Sequence, residues 1–352
     1  MTRKRRVVKR LKRWRLPCLR RQVKPRPALL APCRPSALFD CASRAEIESV
    51  LSLGVSPDRI VYANPCKAGL HIEYARTVNV NLATFDSVHE LHKMSQHHPQ
   101  CSLLLRIKPP VSTGVRRSLG AKYGALPDEV GPLLEAAQSM DLSVIGVSFH
   151  IGISATVFET YDAAIEAARE AFDLAEEMGL PRMSVLNIGG GFTAGPLLEK
   201  AAKVIKCSID SRFGDWAGLR VIAEPGRCFT ETAATLATCV IGKRVRGAKR
   251  EYWLNDGIYG SMCCIKMDAV SVSIVPLEQR PEGTETYAST VFGPTCDSMD
   301  VIASEVELPE LEVGEWMVSP AMGAYTKAMG SSFNGFSTPD LRVYLANSVT
   351  TE

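Results

Sequence analysis

Between residues 39 and 226 the sequence alternates short apolar runs with longer amphipathic stretches. The apolar runs are bounded by polar or turn residues, a pattern typical of strands buried on both faces of a parallel sheet. So many strand–helix units favour a (β/α)8 barrel over an open sheet. The predicted strands are residues 60–63, 81–85, 103–107, 144–149, 185–188 and 219–223, and the predicted helices are residues 43–53, 87–97, 129–140, 159–178 and 197–213.

After about residue 229 the pattern changes, because glycines, prolines and strand-like runs replace long helical stretches. This pattern predicts a second, mostly antiparallel β domain. The predicted organisation is an N-terminal arm over residues 1–22, a barrel over 23–231 and a C-terminal β domain over 232–352. The first barrel strand should precede residue 39, and Val23-Lys24 is its only candidate, so this strand is degenerate. The predicted strands of the second domain are residues 252–254, 271–275, 289–292, 316–318 and 341–345.

The charge of the chain is split between its start and the rest. Residues 1–26 hold 13 of the 41 Lys and Arg residues and no acid, so the remainder carries 28 basic against 38 acidic residues, a net charge of −10. An acidic body does not favour nucleic-acid binding. The arm is expected to be a disordered extension, and a nuclear or organelle targeting signal is the alternative.

Other composition features narrow the class of protein. No apolar run reaches the length of a membrane span, and no apolar segment follows the basic arm as in a secretory signal. The 11 cysteines are scattered without metal-ligand spacing, which indicates reduced thiols in a cytoplasmic protein with no metal site.

Residues that could bind a ligand or take part in catalysis lie where the predicted barrel strands end. This is the edge at which barrel enzymes place their active sites. His150 ends one strand, three glycines at 189–191 follow the next, and Glu224 with Arg227 follows a third. Glycines before a helix let a backbone approach a phosphate, although three glycines alone also fit an ordinary tight turn. Glu224 and Arg227 taken alone fit an ion pair, and His150 fits a core histidine. In the second domain Cys296 adjoins Asp297, which also fits a buried thiol beside a turn-capping carboxylate.

The order of the short motifs is far more specific than any one of them, and it resembles that of eukaryotic ornithine decarboxylases. The plant branch is most similar, and the likeness runs from about Val23 to Leu345. These enzymes belong to the alanine-racemase-like group of pyridoxal phosphate enzymes. The motifs are Phe-Asp-Cys-Ala-Ser at 39–43, Tyr-Ala-Asn-Pro-Cys-Lys at 62–67, Thr-Phe-Asp-Ser at 84–87, Ser-Phe-His at 148–150, Gly-Gly-Gly-Phe at 189–192, Glu-Pro-Gly-Arg at 224–227, Asp-Gly-Ile-Tyr-Gly-Ser at 256–261, Gly-Pro-Thr-Cys-Asp-Ser at 293–298, Met-Gly-Ala-Tyr-Thr at 322–326 and Ser-Phe-Asn-Gly-Phe at 332–336.

The resemblance implies decarboxylation of L-ornithine to putrescine with pyridoxal 5′-phosphate, in which the cofactor ring absorbs the electrons left by carbon dioxide. It also implies a homodimer in which Cys296 and Asp297 of one subunit reach the active site of its partner. The implied residues are Glu224 at the ring nitrogen; His150 stacked on the ring; Ser154, Gly190, Gly191, Gly226, Arg227 and Tyr325 around the phosphate; Asp268 and Asp297 at the distal ammonium of the substrate; and Cys296 as the proton donor to the α-carbon.

The sequence departs from the family at the lysine that binds the cofactor as a Schiff base. Counting back from Asp40 without gaps places Arg21 there, whereas a short deletion makes Lys24 the candidate. Ile153 stands where the family has a small hydroxyl residue, with Ser154 as its substitute, and Asn187 replaces an aspartate. Ala269 stands where plant enzymes have histidine. A catalytically impaired homologue that acts by binding other proteins, and a lysine-preferring decarboxylase, are therefore the alternatives.

Overall fold

The computed structural model describes residues 38–336 except 111–113, 117, 120 and 121. The chain divides into two compact units between Glu231 and Thr232. The arm, the Val23-Lys24 candidate for the first strand, and the predicted strand at 341–345 lie outside the described residues.

The first unit is built on one sheet of seven parallel strands whose spatial order equals their order in the chain. Neighbouring strands are joined by helices, which confirms the predicted barrel class of repeated βα units. The barrel strands predicted at 60–223 are confirmed to within two residues, and a further strand at Phe39–Cys41 was missed. The strands are β1 (Phe39–Cys41), β2 (Ile60–Tyr62), β3 (Leu82–Phe85), β4 (Ser102–Arg106), β5 (Val144–Ser148), β6 (Val185–Asn187) and β7 (Arg220–Ile222).

Helices connect these strands, and the five predicted helices are confirmed. The helix Gly69–Thr77 was missed; it has nine residues and buries only Ile72 and Ala75, so its apolar periodicity is weak. By contrast, the hydroxyl of Ser43 accepts a hydrogen bond from the backbone N–H of Glu46 and marks the start of the first helix. The helices are α1 (Arg44–Leu51), α2 (Gly69–Thr77), α3 (Val88–His97), α4 (Pro127–Ser139), α5 (Glu159–Glu177), α6 (Pro196–Phe213) and α7 (Arg227–Thr230).

Two apolar clusters fill the first unit. The larger one lies between strands and helices and includes Phe85, Leu91 and Phe172, each fully or almost fully buried. A smaller one centres on Leu104 and Val185, from alternate strands of the sheet, with Ile222 of β7. Alternate-strand side chains of this kind fill the interior of a barrel, so the polar groups of the unit are left to the ends of the strands.

The second unit is one sheet of six strands. The strands are β8 (Leu236–Arg246), β9 (Lys249–Leu254), β10 (Val275–Pro276), β11 (Thr286–Phe292), β12 (Val301–Pro309) and β13 (Trp316–Ser319), and one short helix, α8 (Cys264–Met267), precedes β10. Their order in the sheet is β10-β13-β8-β9-β11-β12. All neighbours are antiparallel except β9 and β11, which confirms the predicted mostly antiparallel domain.

The prediction of a strand over residues 271–275 is wrong except at its last residue. Only Val275 and Pro276 pair with a neighbouring strand, whereas Val272 and Ile274 pack against the core of the unit without a ladder. Their alternation with serine therefore reflects burial of one face and not strand pairing. Strands β8 and β12 were missed because their charged residues interrupt the apolar pattern.

No helix among the residues that the structure describes is both long enough and apolar enough to cross a bilayer.

A candidate active site at the carboxyl ends of the barrel strands

The ends of β5, β6 and β7 bring three of the sequence-predicted groups together. These strands are neighbours, and backbone hydrogen bonds continue past their ends: Ile188 N–H donates to Ile222 at 2.8 Å, and Glu224 N–H donates to Gly189 at 2.7 Å. His150, the glycine turn and Glu224 therefore lie side by side at one edge of the sheet. The predicted grouping of these residues follows from parallel strands in adjacent positions.

The glycine turn at 189–191 leaves no room for larger residues. Gly189 and Gly191 have φ values of 62° and 96°, a region that side chains disfavour. A Cβ added to Gly190 would lie 2.8 Å from Nε2 of His150 and 2.9 Å from the carbonyl oxygen of Glu224. The hydroxyl of Tyr161 donates to the Gly190 carbonyl at 2.9 Å. The turn is therefore fixed in contact with both the imidazole and the carboxylate-bearing strand.

Glu224 is held by Asn187, one of the residues at which the sequence departs from the family. The Nδ2 amide of Asn187 donates to Oε1 of Glu224 at 2.7 Å, and Oδ1 of Asn187 accepts from Gly189 N–H at 3.0 Å. Because a backbone N–H can only donate, the second bond fixes which end of the amide faces Glu224. The carboxylate of Glu224 is thus held in place by a neutral amide donor.

The orientation of the His150 ring is also fixed by a backbone donor. Its Nδ1 accepts from Gly152 N–H at 3.0 Å, so the neutral imidazole carries its proton on Nε2, the atom nearest Gly190. Ser154, which the sequence analysis placed near the phosphate, is 9% exposed and has a φ of 50°. The next residue, Ala155, donates its N–H to Gly191 at 3.3 Å, so Ser154 adjoins the glycine turn.

A buried arginine follows Glu224 on the next turn. Arg227 begins the short helix α7 directly after Gly226 and is 7% exposed. Its guanidinium makes a long ion pair of 3.4 Å with Glu231. A guanidinium presents five N–H donors in a planar fork, a geometry that suits an anion such as a phosphate.

Lys67 is a buried lysine at this end of the sheet, and no role was predicted for it from the sequence. Its Nζ donates to the carbonyls of Thr84 at 2.7 Å and Asn64 at 3.1 Å, and it pairs with Glu90 at 2.8 Å. Two hydrogen bonds and one ion pair therefore hold the buried ammonium group in place. Burial lowers the pKa of Lys67, and Glu90 opposes this effect. Lys67 is therefore a structural lysine. Lys24 lies outside the described residues.

In the second unit Cys296 and Asp297 lie on a turn whose position is fixed by hydrogen bonds to the Asp300 side chain. The Asp300 side chain, in a residue 1% exposed, accepts hydrogen bonds from Thr295 N–H at 3.1 Å and from Ile258 N–H at 3.0 Å. This carboxylate thereby ties the 293–298 motif to the 256–261 motif. A Cβ on Gly293 would lie 2.1 Å from Oδ1 of Asp300, so the motif requires glycine there.

The side chains of Cys296 and Asp297 are each bonded to another motif. The Tyr259 hydroxyl donates to Oδ2 of Asp297, and the Cys296 thiol donates to Oδ1 of Asn334 at 3.3 Å. The N–H of Met299 and the Tyr259 hydroxyl lower the pKa of Asp297, so this carboxylate is ionised at neutral pH. Neither Tyr259 nor Asn334 was assigned a role from the sequence, although both lie in motifs that the sequence analysis recognised.

Asp268 and Tyr325 also belong to the second unit. Asp268 follows helix α8 and is 5% exposed. Tyr325 has a φ of 53°, and the neighbouring Thr326 carbonyl accepts from the thiol of Cys263 at 3.2 Å. This contact links the Tyr325 turn to the start of the helix that precedes Asp268. Burial raises the pKa of Cys263 to about 11, so the linking thiol stays protonated.

The donor set of the first unit fits pyridoxal phosphate. An anchored carboxylate suits a protonated ring nitrogen, an imidazole suits a ring face, and a glycine turn with a buried guanidinium suits a phosphate. In addition, Oγ1 of Thr193, just past the glycine turn, is removed from solvent and bonds to no described residue. Across residues 38–336, as far as the structure describes them, no three His, Cys, Asp or Glu side chains converge as metal ligands.

Comparison with known proteins gives one consistent result. Residues 34–231 match the family model "Pyridoxal-dependent decarboxylase, pyridoxal binding domain". A chloroplastic ornithine decarboxylase of Nicotiana glauca is 53% identical over 315 residues, covering 88% of this chain and 73% of its own length. The ornithine decarboxylase of Schizosaccharomyces pombe is 44% identical, covering 87% and 72%.

Solved structures of decarboxylases also superpose on this chain. The Paramecium bursaria Chlorella virus arginine decarboxylase superposes with a TM-score of 0.88 at 36% identity, covering 95% of this chain and 91% of that one. The lysine/ornithine decarboxylase of Vibrio vulnificus, complexed with cadaverine, gives a TM-score of 0.83 at 30% identity, covering 95% and 88%.

Proposed function

The chain belongs to the pyridoxal-dependent decarboxylase family, and from this premise we propose that it converts L-ornithine to putrescine and carbon dioxide with pyridoxal 5′-phosphate. The observation that carries the proposal is the Glu224 carboxylate, held by Asn187 beside the His150 imidazole and the glycine turn. Relatives from tobacco, fission yeast and rat that bear the name ornithine decarboxylase support this substrate.

When bound, the cofactor supplies an electron sink for the carbanion that loss of carbon dioxide leaves. The chain's part is to hold and polarise that group. Glu224 would hold a proton at the ring nitrogen, because its side chain is anchored by the Asn187 amide at the end of β7. His150 would pack on the ring. Gly190, Gly191, Gly226, Arg227, Ser154 and Tyr325 would bind the phosphate.

The second unit would supply the substrate contacts and the proton. Asp268 and Asp297 would attract the distal ammonium of a diamino acid, since opposite charges favour each other at short range. Cys296 would return a proton to the α-carbon after carbon dioxide leaves. Asp297 is well suited to its part because its pKa is lowered, so its charge persists at neutral pH.

The experiment that tests this function is release of carbon dioxide from carboxyl-labelled ornithine by the full chain with added cofactor, with labelled lysine as the competing substrate. The Glu224→Gln variant should lose activity by a factor of roughly 100 or more, because a neutral amide does not hold the ring-nitrogen proton. The matched control is Glu199→Gln, which changes an exposed glutamate on α6. Equal activity of the two variants would contradict the role of Glu224, and no release from either substrate would contradict the function.

Lys24 is the proposed attachment point of the cofactor. The buried Lys67 is the alternative among the described residues, and its two carbonyl hydrogen bonds and its ion pair with Glu90 favour a structural role for it, which supports the choice of Lys24. The absorbance band of the cofactor–lysine adduct should be present in the wild type and in Lys122→Ala but absent in Lys24→Ala. A band retained in Lys24→Ala would contradict the assignment.

We further propose a homodimer with shared active sites, in which Cys296 and Asp297 serve the partner subunit. Mixing Cys296→Ala and Glu224→Gln subunits tests it. If the active sites are shared, one of the two sites in a mixed dimer combines an unchanged Glu224 with an unchanged Cys296. The mixture should then regain about a quarter to a half of the wild-type activity. No recovery after verified subunit exchange would contradict it.

We propose a cytoplasmic location, and targeting to the nucleus or an organelle by residues 1–22 is the alternative. The chloroplastic name of a tobacco relative makes plastids the organelle to test. Fluorescent fusions with and without residues 1–22 distinguish the two, since only a targeting arm would change the location when removed.

A further inference from the structure

The thiol and the backbone amide of Cys296 face the same atom. Oδ1 of Asn334 lies 3.3 Å from Sγ and 3.4 Å from the backbone nitrogen of Cys296. We propose that Asn334 is a positioning residue that fixes the direction of the Cys296 thiol. This inference rests on the proposed function in that Cys296 is there the proton donor.

The chemistry of the backbone amide decides the direction of the thiol hydrogen bond. A backbone N–H can only donate, so the Asn334 atom that faces it is the carbonyl oxygen and not the amide nitrogen. An oxygen acceptor can interact favourably only with a protonated thiol, because a thiolate would meet its partial negative charge. Asn334 thus holds the S–H bond of Cys296 along one direction.

The backbone of Asn334 is suited to this contact. Its φ and ψ are 53° and 19°, a left-handed conformation that asparagine tolerates better than other residues with a side chain. Gly335 follows with a φ of 79°. The Asn-Gly pair therefore forms a tight turn, and the same residue that makes the turn supplies the acceptor.

The turn itself is anchored to the Tyr259 segment. Ser331 N–H donates to the Tyr259 carbonyl at 2.7 Å, and the Phe333 and Tyr259 rings lie 4.5 Å apart between centroids. Tyr259 in turn bonds Asp297. Residues 331–335, which we call the Asn334 turn, therefore fix the position of the acceptor relative to both side chains of the Cys296–Asp297 pair.

The test compares two variants that both retain the backbone conformation. Asn334→Gly removes the acceptor without strain at a positive φ, and Asn334→Asp keeps an oxygen acceptor and adds a negative charge. The probe is iodoacetamide, which attacks thiolates, and the rate at Cys296 is followed by peptide mass spectrometry on the native full chain. Cys66 and Cys207, also free and exposed, are reference thiols in the same molecule. The buried Cys41 and Cys264 report unfolding if they become labelled.

Loss of one hydrogen bond predicts that Cys296 in Asn334→Gly reacts about three to five times faster than in the wild type, relative to Cys66. Asn334→Asp should react no faster than the wild type, because its charge disfavours the thiolate. An Asn334→Gly rate equal to or below that of the wild type, with Cys41 and Cys264 unlabelled, overturns the proposal, as does a faster rate in Asn334→Asp.

The activity assay gives a second readout that separates this inference from the proposed function. With ornithine, Asn334→Gly should lower kcat while KM changes by less than about twofold, and Asn334→Asp should retain more activity than Asn334→Gly. The alkylation rates do not depend on decarboxylation. A chain that shows the predicted alkylation pattern but releases no carbon dioxide would retain the Asn334–Cys296 contact and refute the function.

Discussion

The contact between Asn187 and Glu224 allows a sharp prediction about stability. Replacing Asn187 by aspartate changes one NH2 group to an oxygen with almost no change in shape. The new carboxylate oxygen would lie 2.7 Å from Oε1 of Glu224, where a donor now lies. The bond from Gly189 N–H to Oδ1 is kept, so the aspartate cannot simply turn its other oxygen away without losing a partner.

The size of the effect follows from the distance. Two unit charges 2.7 Å apart repel by about 6 kcal/mol at an effective dielectric constant of 20. The two carboxyl groups avoid this repulsion by holding one proton between them. Retaining that proton costs about 1.4 kcal/mol of folding free energy for each pH unit above an ordinary carboxyl pKa near 4. Because Glu224 is partly exposed to water, which screens the repulsion, we expect a loss of about 2–3 kcal/mol near pH 8. Near pH 5 the loss should be below about 1 kcal/mol.

The sign of the pH dependence is fixed by proton binding. In the folded Asn187→Asp variant the carboxyl pair retains a proton that the unfolded chain has released, so the folded state binds more protons above about pH 4. The variant is therefore destabilised increasingly as pH rises through neutrality and approaches the wild type as pH falls towards that of ordinary carboxyl groups.

The assay is urea unfolding of the full chain followed by circular dichroism near pH 5 and pH 8, with free energies compared with the wild type at each pH. Asn81→Asp is the matched control, because residue 81 is exposed and the same chemical change there should cost less than about 0.5 kcal/mol. Equal losses for Asn187→Asp at the two pH values, or a larger loss near pH 5, would refute the reasoning.

Three further predictions concern the first unit. Gly190→Ala should cost about 2 kcal/mol in urea unfolding, because its Cβ would lie 2.8 Å from the His150 ring; a loss under about 0.5 kcal/mol would mean that the turn moves freely. Lys67→Met should cost about 3 kcal/mol by the same method, because it removes one partner of a buried ion pair with Glu90, and a neutral result would contradict the contact. Burial raises the pKa of Cys101 to about 12, so this thiol should resist iodoacetamide near pH 8 in the native protein and react in urea; native labelling would contradict its burial.

Much of the fold was predictable because the signals are local. Runs such as Ile60–Tyr62, buried at every position, indicate a two-sided parallel strand without reference to any neighbour. Helix Gly69–Thr77 was missed because it is short and buries only Ile72 and Ala75, and β12 was missed because Glu305 and Glu307 interrupt its apolar pattern. The false strand at 271–275 had the right alternation but only Val275 and Pro276 pair with another strand.

The candidate site was predictable in its residue types but not in its contacts. His150, Glu224 and Cys296 could be found because each follows a strand or lies in a motif with a strong family likeness. Asn187 was recognised only as a departure, and Asn334 only as part of a motif. No local pattern could assign either a partner, since the residue bonded to Asn187 lies 37 positions away and the one bonded to Asn334 lies 38 positions away.

The sequence by itself determined the alternation of strands and helices, the change to a β domain and the identity of the groups at the strand ends. These depend on periodicity, on turn residues and on which side chains carry charge or a thiol. Only the tertiary structure decided that Asn187 donates to Glu224, that Asn334 accepts from Cys296 and that Lys67 is buried in an ion pair with Glu90. The reason is physical: the direction of a hydrogen bond depends on strand register and on the backbone groups nearby, and folding alone brings these together.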